Sequence, residues 1–123
     1  MRVIHTVLAL VVVGAAGAAH ADGDAARGEK KFADCAACHA TAPGITGVGP
    51  SLHGVFDRKA GTLGDFRYSP AMKRSGIIWT AQTLDTFLAD PQKAVPANRM
   101  PYAGMTESGD RADLVAYLMK ATR

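Results

Sequence analysis

The sequence predicts an all-α domain with long ordered loops. Apolar residues recur at helical spacing in stretches near 25–35, 80–89 and 106–122. No alternating run is long enough to make a strand. Between the periodic stretches, 40–64 and 89–104 lack periodicity and are rich in Gly and Pro.

Taken in order, Asp24 is the expected N-cap of a first helix running into Cys35, with Ala25, Gly28 and Phe32 on one face at i, i+3 and i+7. Ser69-Pro70 reads as a cap followed by a first helical position, and Gly76 as a stop, which gives a short second helix. Thr80 caps a third, on which Leu84, Phe87 and Leu88 form an apolar stripe. Asp90-Pro91 ends that helix or restarts it as a further turn. The stretch PANRMPYAGM, 96–105, is not regular helix, because Pro96, Pro101 and Gly104 interrupt it. The last helix begins between Thr106 and Ser108 and buries Leu114, Tyr117 and Leu118. Glu107 and Asp110 near its start and Lys120 and Arg123 near its end suit the helix dipole.

Ahead of these elements, Arg2 and the apolar run Val7 to Ala19 lead to Ala19-His20-Ala21, an A-x-A cleavage pattern. Residues 1–21 are therefore expected to be a cleaved signal peptide, and 22–123 the mature domain, exported to the periplasm. The apolar run is too short and too rich in Ala and Gly for a membrane span. His5 and His20 leave with the signal. The mature chain has 123 − 21 = 102 residues and 13 basic against 11 acidic groups, a net +2 with neutral histidines. So small a charge, with no basic stripe, argues against nucleic-acid binding. No repeat or low-complexity tract appears, and no stable membrane insertion is expected. A monomer of this length and loop content gains only a modest core from helix packing alone. Something else is expected to fill its interior.

The stretch FADCAACHATAPG holds the only cysteines, Cys35 and Cys38, with His39 directly after the second. Export favours a disulfide at first sight. A redox dithiol is expected near a βαβ pattern, which is missing. Zinc needs four ligands, and the mature chain offers Cys35, Cys38, His39 and His53 at a spacing that fits no usual finger. The fourth reading is C-x-x-C-H, the attachment motif of c-type haem. Two thiols add to the two vinyl groups of one porphyrin, so their separation must be short and fixed. The next residue must then bring an imidazole to the iron. Two cysteines scattered in such a chain fall three apart about 2% of the time, and a following His reduces this to roughly 1 in 2,500. Haem is the reading adopted, and a large apolar macrocycle supplies the missing interior.

The opposite side of the iron separates electron carriage from ligand chemistry. Of the mature methionines, Met72 and Met119 fall in expected helices, where packing is the usual role. Met105 follows Gly104 at the edge of the last helix and is also read as packing. Met100 sits in the irregular segment between Arg99 and Pro101, where a sulfur–iron bond would explain an ordered loop. His53, in a Gly-rich loop, is read as a surface residue.

Several stretches, in order, carry a family resemblance: GDAARGEKKF, CAACH, GPSLHGVFDRKAG, GIIW, LDTFLADP, NRMPYAGM and DLVAYL. Over about residues 24–122 the chain resembles the class I c-type cytochromes, the soluble monohaem electron carriers of mitochondria and bacteria. The resemblance implies a small cytochrome c fold, with N- and C-terminal helices crossing and loops wrapped around one haem. It implies thioethers from Cys35 and Cys38, with His39 as proximal ligand and Met100 as the axial methionine. Pro50 matches the proline whose carbonyl fixes the proximal histidine. Arg58, Tyr68, Trp79 and Asn98 match positions near the propionates, and all four side chains carry donors. Gly28 and Phe32 match the face that crosses Leu114 and Tyr117.

Against that pattern, Phe87 stands where many relatives carry a tyrosine aimed at the methionine sulfur, and Tyr102 replaces a common phenylalanine. Asp34 and Glu107 fall at often-basic positions, and Gln92 and Thr106 are neutral where lysines are common. Lys30, Lys31, Lys93 and Arg99 remain for a weakened basic docking face. The segments between Phe32 and Cys35 and between His39 and Pro50 are each one residue shorter. The expected function is periplasmic single-electron transfer, with no catalytic residues. Expected partners are membrane respiratory or photosynthetic complexes and periplasmic dehydrogenases. The alternatives are a haem enzyme or gas-binding protein with a displaceable Met100, and a dedicated cytochrome subunit of one dehydrogenase complex.

Overall fold

A computed structural model describes residues 23–123. The expected signal peptide and its cleavage point lie outside the described residues. The chain forms five helices there: α1 (Ala25–Ala36), α2 (Pro70–Arg74), α3 (Ala81–Ala89), α4 (Pro91–Ala94) and α5 (Ser108–Ala121). Among the described residues there is no strand beyond one antiparallel bridge, Lys59 to Ile78.

The helix starts follow local chemistry. The Asp24 carboxylate accepts from the Arg27 amide, Ser69 Oγ from Met72, and Asp90 from Lys93, each satisfying a donor that the first turn leaves unpaired. Thr80 and Thr83 cap each other reciprocally, side chain to backbone in both directions. Asp90-Pro91 restarts the chain as α4. Glu107 caps α5 without a side-chain bond.

α1 crosses α5 at Gly28, where a Cβ would overlap the Asp113 carbonyl and press on Tyr117. Phe32 and Tyr117 meet beside this crossing with ring centroids 5.3 Å apart. Leu114 is fully buried, Leu118 nearly so, and Tyr117 only half-buried. Val115 and Asp113 are buried as well, so the inner face of α5 is wider than its apolar pattern suggests. Asp113 is tolerated there because Arg27 Nε reaches it at 2.7 Å and the Asp24 amide donates to it at 2.6 Å. Met119, expected to pack, is instead 42% exposed, since it follows Leu118 by one residue and turns away from the core.

Loops complete the wall that faces α1, α3 and α5. Residues 57–60 are stitched to 77–79 by backbone bonds around the bridge, which holds Trp79 inward. Gly104, at φ +116°, brings the 96–107 loop against the end of α3, where the Met105 amide donates to Leu88. Arg111 fastens the same loop, bonding Asp85 at 2.7 Å and the Met105 and Thr106 carbonyls.

Candidate haem-binding site

These elements enclose an open-sided cavity of about 480 Å³, within the range of sites that hold one cofactor. Its floor includes Phe32, Leu84, Phe87, Leu88, Leu114 and Leu118, contributed by α1, α3 and α5. Cys35, Cys38, His39, Pro50, Arg58, Tyr68, Trp79, Asn98 and Met100 all line it. Met72 lines it too; Met105 and His53 do not.

The cysteine motif is held by one helical turn. The amides of Cys38 and His39 both donate to the Cys35 carbonyl, at 3.0 and 2.9 Å. This fixes both thiols and the imidazole at the end of α1. Cys35 and Cys38 are free thiols. Burial, reinforced by Asp34 and Cys38, pushes the Cys35 thiol up, so it stays protonated and neutral at physiological pH. No cluster of three or more metal-ligating His, Cys, Asp or Glu side chains exists among the described residues, which removes the geometry a zinc site needs.

His39 Nδ1 lies 2.7 Å from the Pro50 carbonyl. A carbonyl only accepts, so Nδ1 carries the proton and Nε2 is left with its lone pair free for a metal. Gly49 packs on the ring, and a Cβ there would come within 2.9 Å of three ring atoms.

The other side is a built loop. Ala97 adopts φ +65°, and the chain turns onto Asn98. Asn98 Oδ1 accepts from the Met100 amide at 2.8 Å, while Nδ2 donates to Pro91 and Val95 at 2.8 and 3.0 Å. Both amide hydrogens are spent on backbone. Asn98, expected near the propionates, thus bonds the backbone on either side of the turn that leads to Met100. The Tyr102 amide closes the turn onto the Met100 carbonyl at 2.9 Å.

The remaining polar groups gather along one margin. Arg58 is steadied by the carbonyls of His53 at 2.8 Å and Ser51 at 3.3 Å, and pairs with no carboxylate among the described residues. Trp79 is buried edge-on against Phe87. Tyr68 leans on Phe66, and burial pushes its phenol up, so it remains a donor. Apolar walls, two thiols, an imidazole nitrogen, a thioether and a margin of donors suit a flat, apolar macrocycle with acidic substituents at one edge. The residues fit a covalently bound haem.

Fold and site together define a small all-α protein with crossed terminal helices and a cavity suited to one haem. The chain belongs to the cytochrome c family, whose model matches residues 25–122. It is 47% identical over 87 residues to cytochrome c2 iso-2 of Magnetospirillum fulvum, covering 71% of this chain and 91% of that one. It is 46% identical over 97 residues to cytochrome c2 of Rhodoblastus acidophilus, covering 78% and 91%. Among solved structures, cytochrome cH from Methylobacterium extorquens superposes with a TM-score of 0.76 at 43% identity, covering 80% of this chain and 99% of that one.

Sequence reasoning named Asn98 but not its bond to the Met100 amide, two residues on, and it missed one contributor. Gly49, beside Pro50, is part of the same histidine cradle and carried no separate signal.

Proposed function

We propose that this chain carries single electrons through one haem c, bound by thioethers from Cys35 and Cys38, with His39 and Met100 as axial ligands. The observation that carries the reading is the shared cavity of CAACH and Met100, with His39 already turned by Pro50 so that Nε2 is free. When bound, the haem iron supplies a one-electron couple, and a His/Met ligand pair raises its potential.

The protein's own part is to keep the site unchanged between the two oxidation states. Pro50 holds the imidazole in one tautomer and orientation. Asn98 accepts from the Met100 amide while its own amide hydrogens are anchored on the Pro91 and Val95 carbonyls, so the thioether is presented without a search. Leu84, Phe87, Leu88 and Leu114 exclude water from the floor. Arg58, Tyr68 and Trp79 supply donors where acidic substituents would otherwise be unpaired.

Export to the periplasm fits the N-terminal pattern and the cytochrome c2 relatives. Redox complexes of the membrane and periplasmic dehydrogenases are the partners such a carrier would serve. Expression of the full chain alongside a haem-attachment system tests the reading. A mature mass raised by one haem, with low-spin bands after dithionite, is expected. A mass without haem would overturn it.

A second reading has one observation in its favour. Phe87 contributes a bare ring to the cavity and no hydroxyl to steady a methionine sulfur. A displaceable Met100 would open the iron to small ligands. Fast carbon monoxide binding by the native ferrous protein at neutral pH would favour this; its absence would remove it.

A further inference from the structure

We infer that Arg111 is a positioning residue for Met100: its guanidinium, seated outside the cavity, sets how long the methionine sulfur stays in place. This rests on the electron-carrier reading above, in which Met100 is an axial ligand.

The segment that presents Met100 is fastened at its ends and little between. Among the described residues, 99–104 bond only through the Met100 amide to Asn98 Oδ1, at 2.8 Å, and the Tyr102 amide to the Met100 carbonyl, at 2.9 Å. Both bonds stay within residues 98–102. At the far end the attachment is to other elements. The Met105 amide donates to Leu88 on α3 at 2.8 Å. Arg111, on α5, supplies the rest. Its Nη1 donates to the Met105 and Thr106 carbonyls at 2.8 and 2.9 Å, and its Nε to Asp85 on α3 at 2.7 Å.

One side chain therefore joins α5, α3 and the loop. A planar guanidinium serves three acceptors at once, a geometry that a lysine ammonium on a flexible stem does not hold. The Arg111 side chain is 12% exposed, against 43% for Asp85. Its charged donors are thus largely out of water, where they bond more strongly than in a surface ion pair. Neither Arg111 nor Asp85 lines the cavity, so both act on the site only through the loop. With this clasp closed, the chain from Asn98 to Met105 is pinned at both ends. With it open, the chain swings about Asn98 and carries Met100 away from the site. Such an opening is local, because its free energy belongs to the few bonds that break.

The test uses the haem-loaded ferric protein, with imidazole as the probe. Imidazole takes the axial position only after Met100 leaves it, one ligand replacing another with no electron transferred. At saturating imidazole the decay of the far-red band reads the opening rate of the loop. Arg111→Ala should raise that limiting rate about tenfold, and Arg111→Lys, which keeps the charge but not the planar fork, about fivefold. Gly28→Ala weakens the α1–α5 crossing without touching the clasp and should leave the rate within about twofold of wild type. Amide hydrogen exchange at Met105 is the second readout, faster in both Arg111 variants and unchanged in Gly28→Ala. Either Arg111 variant, folded with its haem, opening at the wild-type rate would overturn the inference. So would a rise in Gly28→Ala equal to that in Arg111→Ala, or unchanged exchange at Met105. Wild-type protein that lacks covalent haem would instead overturn the electron-carrier reading.

Discussion

The Asn98 side chain accepts a hydrogen bond from the Met100 amide at 2.8 Å while donating to the carbonyls of Pro91 and Val95. One buried amide thereby ties α4 to the loop that presents the methionine. Asn98→Ala would strand those backbone groups and cost about 1–3 kcal/mol. It should also weaken the far-red sulfur–iron absorption of the oxidised protein. Asn98→Asp keeps the acceptor for Met100 and should retain more of that band than the alanine variant. Equal bands in both variants would mean that Asn98 does not position the ligand.

The two methionines of NRMPYAGM have different surroundings. Met100 lines the cavity and Met105 does not. Met100→Ala should abolish the far-red band, and Met105→Ala should preserve it with only a packing loss. Absorption spectra of the two oxidised variants decide the assignment, and the reverse pattern would exchange their roles.

Helix starts were legible because each is decided within four residues. Asp24, Ser69-Pro70, Thr80 and Asp90-Pro91 sit where they were expected and bond as caps. The cysteine motif was legible because thioether chemistry fixes its spacing. What the sequence hid depends on distant partners. Asp113 carried no signal in the sequence, because its partner Arg27 lies 86 positions earlier. Met119 reads as core until α5 is oriented by the crossing at Gly28. Asn98 was placed by resemblance, and only its bonding partners reveal that its donors are already used.

The Gly28 crossing leaves no room for a side chain. Gly28→Ala should destabilise the haem-loaded protein by about 1–3 kcal/mol through overpacking, with Gly28→Val worse. Denaturant unfolding followed at the haem band measures it. An unchanged midpoint would show that the helices can part without cost.

Asp113 gives the fold an acid limit. The Arg27 guanidinium, and then the Asp24 amide, hold its carboxyl below the ordinary value of 3.8. A depressed carboxyl stabilises the fold above its unfolded value and loses that contribution as pH falls through its folded value. Asp113→Asn should therefore lower the denaturant midpoint at pH 7, while the gap to wild type narrows below pH 3.8. A gap that is the same at pH 7 and at the acid end would assign the loss to shape alone.

One covalent haem cycling between two oxidation states, with His39 and Met100 in place, has a distinctive redox titration when the mature protein is followed by visible absorption. Low-spin bands and a single wave with a slope of about 59 mV per decade, the signature of one electron, are expected. A far-red band that is present when oxidised and absent when reduced is also expected. A wave of about 30 mV per decade without haem bands, as a Cys35–Cys38 dithiol would give, would contradict this assignment.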